Sequence, residues 1–167
     1  MIKTLERKKT TVPKEVVRDK ILSVEEEMKK MPGVMFGDCF PLKHKFADGC
    51  YIREITMPKG ALLTSKIHKI THPYFVLKGD VSVLTEEGVV RIKAPYSGIT
   101  KAGTKRILYI HKDTVWTTVH VTKEKDLERI EEEIISKDFD EFPIKDVELI
   151  DFIKTVTKKK GKKERII

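Results

Sequence analysis

Two histidines and a lysine stand close together near the middle of the chain, between two glycines. Gly60 is followed after five residues by Lys66, and His68 and His72 come before Gly79. Imidazole nitrogens bind transition metals and exchange protons near neutral pH, whereas a lysine ammonium attracts anions. Lys66 and His68 point to the same side of an extended segment, because alternate residues share a face. This spacing predicts a polar site for a metal, a proton or an anion.

A second stretch with candidate residues covers positions 101–110. It contains Gly103 and Arg106, and the arginine fork is suited to hold a carboxylate or phosphate through two parallel hydrogen bonds. If both stretches face one cavity, four side chains give that cavity a positive potential: Lys66, His68, His72 and Arg106. The sequence then predicts binding of a small anion of the phosphate, carboxylate or sugar-nucleotide type, with either histidine as a general acid or base.

The first stretch resembles the first motif of the cupin family. That motif has a glycine, five residues, His-x-His, three or four residues, a glutamate, six residues and a glycine. Both glycines and His68 are in register here, whereas Lys66 and His72 stand where the family has a histidine and the glutamate. The second cupin motif resembles residues 101–110, where Gly103 matches and Arg106 replaces a histidine. The resemblance covers roughly residues 51–121 and implies an antiparallel jelly-roll β-barrel.

A metal-dependent cupin enzyme of the dioxygenase or isomerase type is the alternative to anion binding. Two imidazoles are too few for a tight site, since catalytic zinc sites keep about three protein ligands. His120 shares a strand face with Trp116 and Thr118, so it becomes a third ligand if that face lines the barrel. In this interpretation a divalent transition metal is held by His68, His72 and His120.

Short strands separated by turns are predicted to position these residues. Asp48-Gly49 is a strong hairpin signal between Leu42–Ala47 and Cys50–Met57. Further strands are predicted at residues 74–78, 81–85, 89–93, 99–101, 105–111 and 115–122. This density of short strands and turns is typical of an antiparallel sandwich or barrel.

Helices are predicted on both sides of the strands. Thr11 is a candidate cap for an amphipathic helix that Pro32-Gly33 ends. After the strands, Leu127, Ile130 and Ile134 form an apolar stripe, and a second short helix is expected after Pro143. We therefore predict one domain in three parts: a basic tail and helix at 1–33, the cupin barrel at 34–122, and C-terminal helices with a Lys-rich tail at 123–167.

Composition limits the function classes. The chain has 167 residues, a formal net charge of +8, and lysines and arginines concentrated near both ends. Such tails solubilise a protein or attract nucleic acid, which leaves a structural or assembly protein, for example of viral origin, as a third hypothesis. Cys39 and Cys50 are expected to be reduced core thiols. No membrane segment is evident, and we expect a cytoplasmic protein that forms a homodimer, as the family resemblance implies.

Overall fold

The computed structural model describes residues 12–142. The helices are α1 (Lys14–Lys29) and α2 (Leu127–Ile134), and nine strands make up most of the remainder. The strands are β1 (Leu42–Ala47), β2 (Cys50–Met57), β3 (Leu62–Thr64), β4 (Ile67–His68), β5 (His72–Thr85), β6 (Gly88–Lys93), β7 (Tyr96–Thr100), β8 (Ile107–Val121) and β9 (Ile135–Ser136). The predicted cap at Thr11, the second C-terminal helix and both basic tails lie outside the described residues.

Two long antiparallel strands, β5 and β8, organise the main sheet. The strand order is β1-β2-β8-β5-β6, with β3 also paired to β8 and β7 also paired to β5. The beginning of β5 pairs with the end of β8, where Tyr74 lies opposite Thr118. The end of β5 pairs with the beginning of β8, where Leu84 lies opposite Ile107. We call residues 72–76 with 115–121 the histidine end, and residues 81–85 with 107–110 the apolar end.

Gly79 lies where β5 changes direction between these two ends. The register of β5 against β8 shifts between Val76 and Val81, which is the signature of a β-bulge. Gly79 has a φ of +111°, and a Cβ added there would lie 2.6 Å from the Thr114 Cα. Only glycine fits this backbone angle and this close approach. The sequence predicted separate strands at residues 74–78 and 81–85, and at residues 105–111 and 115–122, but each pair forms one continuous strand.

The hydrophobic core includes the apolar end and reaches into the histidine end. At the apolar end, Val81, Val83 and Ile110 are at most 2% exposed, and they share one cluster with Tyr74 and Trp116. The helix α1 buries Val17 and Ile21. A smaller cluster joins Tyr51 on β2 to two isoleucines of the C-terminal helix, Ile130 and Ile134, because apolar positions of α2 recur at helical spacing.

The prediction of a mainly β, antiparallel fold with an N-terminal and a C-terminal helix is confirmed. The sheet is not closed into a barrel, however, because β1 and β6 are its two ends and no pairing among residues 12–142 joins them. Cys39 and Cys50 are both free thiols, as expected, but Cys39 is exposed and Cys50 is only half-buried, so they are not core residues. Within residues 12–142, neither helix is long and apolar enough to span a membrane.

Candidate metal centre

Three histidines from different parts of the chain come together at the histidine end. His72 begins β5, His120 lies near the end of β8, and His68 is the second residue of the short strand β4. The ring centroids of His72 and His120 are 4.3 Å apart, those of His68 and His72 4.4 Å, and those of His68 and His120 5.3 Å. One nitrogen of each ring lies within 4.8 Å of the other two. The three imidazoles thus form one cluster.

The strand pattern explains why two of these histidines face inward. His72, Tyr74 and Val76 alternate with exposed or half-buried neighbours along β5, and His120 follows Trp116 and Thr118 on the inner side of β8. His72 is 3% exposed and His120 is 2% exposed. Their position therefore follows from the two-residue period of a β-strand.

His68 is held by contacts outside the main sheet. Its strand β4 pairs with β9, so that His68 lies opposite Ile135. Its carbonyl oxygen accepts a hydrogen bond of 2.9 Å from the Gly103 amide, and the next amide, that of Lys69, donates to the Ile134 carbonyl oxygen. Phe142 packs against Gly103, where a Cβ would meet its ring at 2.7 Å. The C-terminal segment thus fixes one of the three histidines.

Each histidine of the cluster has a buried ring nitrogen without a hydrogen-bond partner among residues 12–142. These atoms are His68 Nδ1, His72 Nε2 and His120 Nδ1. The opposite nitrogen is engaged in two of the three rings: His72 Nδ1 contacts the Ile70 carbonyl oxygen at 2.9 Å, and His120 Nε2 contacts Thr118 Oγ1 at 3.2 Å. Since a carbonyl oxygen only accepts hydrogen bonds, His72 carries its proton on Nδ1 and keeps a lone pair on Nε2.

Burial keeps the cluster uncharged. Removal from water lowers the pKa of His68 to about 2, and charges on His72 and His120 lower it further. Burial is also the main reason that the pKa of His120 falls to about 4 and that the pKa of His72 is lowered. The three rings are therefore neutral at pH 7, which is the form that coordinates metals.

Arg106 lies close to the cluster but has other contacts of its own. Its Nη2 donates to Thr100 Oγ1 at 2.7 Å, and its guanidinium lies over the rings of Tyr74 and Trp116 at 5.4 and 5.9 Å. It is 7% exposed. Its positive charge contributes to the lowered pKa of His68 and of His72, after the larger effect of burial. Arg106 therefore borders the same cavity as His68 and His72.

Lys66 is directed toward carboxylates. Its Nζ lies 2.5 Å from Glu131 Oε1 on α2 and 3.8 Å from Asp38 Oδ2, and its side chain is 38% exposed. Lys66 lines the same cavity as His68, His72 and Arg106. All four residues predicted from the sequence to share a pocket therefore border one cavity, although Lys66 is at its rim among acidic side chains.

The cavity has a volume of about 720 Å³. Its walls include Tyr51 and Arg53 of β2, Trp116 of β8, and residues 33–40, which connect α1 to β1. Tyr51 stacks on His120 with ring centroids 6.0 Å apart, and its hydroxyl lies 2.7 Å from Nδ1 of the exposed His44. Sequence analysis could not assign Tyr51 and Arg53, because alternation along β2 does not tell which face is inward.

Comparison with known proteins finds partial structural likenesses alone. No family model and no curated protein matches the chain. Similar solved structures include a cupin superfamily protein from Desulfitobacterium hafniense (8% identity, TM-score 0.43, covering 54% of this chain and 84% of that one). Others are an acetylacetone dioxygenase from Acinetobacter johnsonii (17%, 0.42, 53% and 66%) and a cupin domain from Bordetella pertussis (14%, 0.41, 53% and 99%).

These likenesses are partial and have low sequence identity, so they carry no conclusion about a reaction or a ligand. The order of the strands and the inward-facing histidines are observed in the chain itself. Together they agree with the fold that the spacing from Gly60 to Gly79 predicted. Cupins are among the solved structures that the chain resembles in part.

Proposed function

We propose that this protein binds a divalent transition metal ion through His68, His72 and His120, and that the ion faces a small molecule in the adjoining cavity. The observation that supports this most directly is the set of three buried, unpartnered nitrogens, one from each ring. Buried polar atoms without a partner are rare and costly in native proteins. A shared ligand would satisfy all three at once.

The donor set fits such an ion. Three neutral imidazoles suit zinc, copper, iron and nickel, and three protein ligands leave coordination positions free, as in catalytic zinc sites. At tetrahedral angles, metal–nitrogen bonds of about 2.0–2.1 Å place the donor atoms about 3.4 Å apart. The donor atoms of the three rings lie within 4.8 Å of one another, so the rings must move closer together to hold one ion.

The residues around the cluster support its role as a ligand set. The contact of His72 Nδ1 with the Ile70 carbonyl fixes that ring's tautomer, which is the usual role of an outer hydrogen bond to a metal-binding histidine. A bound ion would supply a Lewis acid that polarises an oxygen atom of the ligand. The strongly lowered pKa of His68 makes this residue a poor general acid near pH 7. We therefore assign His68 and His72 to metal binding before acid–base catalysis.

The charges around the cavity favour an anionic small molecule. Five cationic side chains border it, together with three carboxylates: Lys29, Arg53, Lys66, Lys105 and Arg106 against Glu25, Asp38 and Glu131. Several of these are already paired, since Lys105 lies 2.9 Å from Glu25 and Lys66 lies beside Glu131. The excess is modest, but apolar walls strengthen its field. Anion binding is thus a second function of the same cavity.

Metal titration of chelator-treated protein tests the proposal. We expect one zinc or cobalt ion per chain by elemental analysis and calorimetry, with metal-dependent thermal stabilisation. His120→Gln and His68→Gln should weaken binding more than about 100-fold, because loss of an outer hydrogen bond alone costs about 10–100-fold.

His111→Gln is the matched control, because His111 is on the same strand as His120 but lies outside the cluster. Its Nε2 is hydrogen-bonded to Ser82 Oγ at 2.8 Å. It should bind metal like the wild type. Substoichiometric metal in the wild type, or equal binding by His120→Gln and His111→Gln, would show that the cluster is not a metal site.

A further inference from the structure

The carboxylate of Asp38 bridges two cations at the wall of the cavity. Its Oδ1 lies 2.8 Å from Arg53 Nη2, and its Oδ2 lies 3.8 Å from Lys66 Nζ. Asp38 belongs to residues 33–40, which have little regular structure and line the cavity. The carboxylate of Asp38, in the segment that connects α1 to β1, therefore lies between Arg53 of the main sheet and Lys66, which precedes β4.

Arg53 connects this position with the histidine cluster. It lies on β2 opposite Thr118, two residues from Tyr51, which stacks on His120. Its charge is among the causes that lower the pKa of His68 and of His120, after burial and the neighbouring histidines. An anion bound to Arg53 would therefore lie on the cavity wall within electrostatic reach of His68 and His120.

The rest of the cavity wall is largely apolar. Side chains from β2, β3 and β8 line it together with those of the connecting segment, for example Ile55, Leu63, Leu108, Trp116 and Phe40. A molecule with one anionic group and a small apolar body would satisfy both kinds of surface. An arginine fork matches the geometry of a carboxylate, and the group that now occupies the position is itself a carboxylate.

We propose that Arg53 and Lys66 form a carboxylate-binding subsite, and that Asp38 is an internal stand-in which the carboxylate of a small organic acid displaces. The inference deepens the proposed function. It rests on that function for the orientation of the bound acid relative to the metal centre. Displacement is inexpensive because the pair is accessible: the side chains of Arg53 and Asp38 are 26% and 41% exposed, and exposed ion pairs contribute little. Lys66 keeps Glu131 as its nearer partner.

Fluorescence of Trp116, the one tryptophan of the chain, gives a direct readout because it lines the cavity. The probes are benzoate and its neutral counterpart benzamide. Asp38→Asn should bind benzoate about two- to fivefold more tightly than the wild type, the value of one exposed ion pair, and should leave benzamide unchanged. Arg53→Gln should lose about tenfold or more for benzoate, and Arg53→Lys should lose less.

Asp19→Asn is the matched control, since Asp19 is exposed on α1 and does not border the cavity. It should behave like the wild type. Unchanged or weaker benzoate binding by Asp38→Asn would mean that the ion pair only anchors the connecting segment, and the inference would be wrong. Absence of benzoate binding in both the wild type and Asp38→Asn, or full binding by Arg53→Gln, would also overturn it.

Metal content separates this inference from the proposed function. Asp38→Asn and Arg53→Gln should each retain one metal ion per chain, and every titration is done on chelator-treated and zinc-loaded protein. Normal metal binding with no effect of Asp38→Asn on benzoate removes the subsite and leaves the metal centre. Tighter benzoate binding by Asp38→Asn in a protein that takes up no metal removes the metal centre and leaves the subsite.

Discussion

The two ends of the β5–β8 pair are equally buried but differ in what they bury. At the apolar end, Val83 and Ile110 are packed in a continuous hydrophobic cluster. At the histidine end, His72 and His120 are 3% and 2% exposed, yet each leaves a ring nitrogen unpartnered. The apolar end therefore buries apolar side chains alone, whereas at the histidine end core residues such as Val76 and Trp116 lie beside a buried polar cluster.

This difference supports the proposed function of the histidine end. An unsatisfied buried polar group costs about 1–3 kcal/mol. In residues 12–142 the buried unpartnered side-chain atoms belong to the three clustered histidines and to Thr117, which is also at the histidine end. Real proteins break the rules of packing mainly at functional sites, so the contrast itself supports a ligand for the cluster.

The largest expected effect of a single substitution is at the apolar end. Ile110→Ala removes a side chain that is 0% exposed and should lower the free energy of unfolding by about 2–5 kcal/mol, because it leaves a cavity. Urea denaturation of metal-free protein measures the change. Metal stoichiometry of the folded variant should remain that of the wild type. A loss below about 1 kcal/mol would contradict the distinction between the two ends.

Acid should act on the histidine end. The folded protein holds the pKa of His120 at about 4 and that of His68 at about 2, mainly by burial, whereas the unfolded chain titrates near the ordinary value of about 6.5. Unfolding below that pH takes up protons, so stability is complete above pH 6.5 and falls on acidification toward pH 4. The slope should be about 1.4 kcal/mol per pH unit for each such histidine.

Denaturant midpoints of chelator-treated protein between pH 7.5 and pH 4.5 test this expectation. His120→Gln should show a shallower slope than the wild type, whereas His111→Gln should keep the full slope. A wild-type stability that does not change from pH 7 to pH 5 would mean that the cluster is not held in the neutral form by burial.

The smallest expected effect comes from removing a polar group at the histidine end. His120→Leu in metal-free protein should change the free energy of unfolding by less than about 1 kcal/mol, because it also removes an unsatisfied nitrogen. The matched substitution Val83→Thr adds a hydroxyl at the apolar end, where Val83 is 2% exposed, and should cost about 1–3 kcal/mol. Equal losses in the two variants would remove the contrast.

Local signals in the sequence predicted the local structure well. The Asp48-Gly49 turn gave β1 and β2 with the bounds that the structure has, because a two-residue hairpin fixes its own register. The apolar stripe from Leu127 predicted α2, which Asp126 caps through its side chain. Signals that depend on distant contacts failed. The sequence predicts a break between strands at residues 74–78 and 81–85, whereas Gly79, in close contact with Thr114, lets β5 bend and continue.

The candidate site was predictable to a similar extent. The spacing of His68 and His72 identified the region. Strand alternation placed His120 on one face with Trp116 and Thr118, but it did not show which side of the sheet that face is on. That depends on the burial of the whole face, a tertiary property. The contact between Asp38 and Arg53 had no sequence signal, because Asp38 lies in a connection without periodicity.

The dependence of His68 on β9 makes the cluster hard to transplant. A fragment that ended after β8 would contain all three imidazoles, but the backbone partners of β4 at Ile134 and Ile135 would be missing. Grafting the His68–His72 spacing onto another open sheet would meet the same difficulty. For protein engineering, the transferable unit is the sheet together with its returning C-terminal segment.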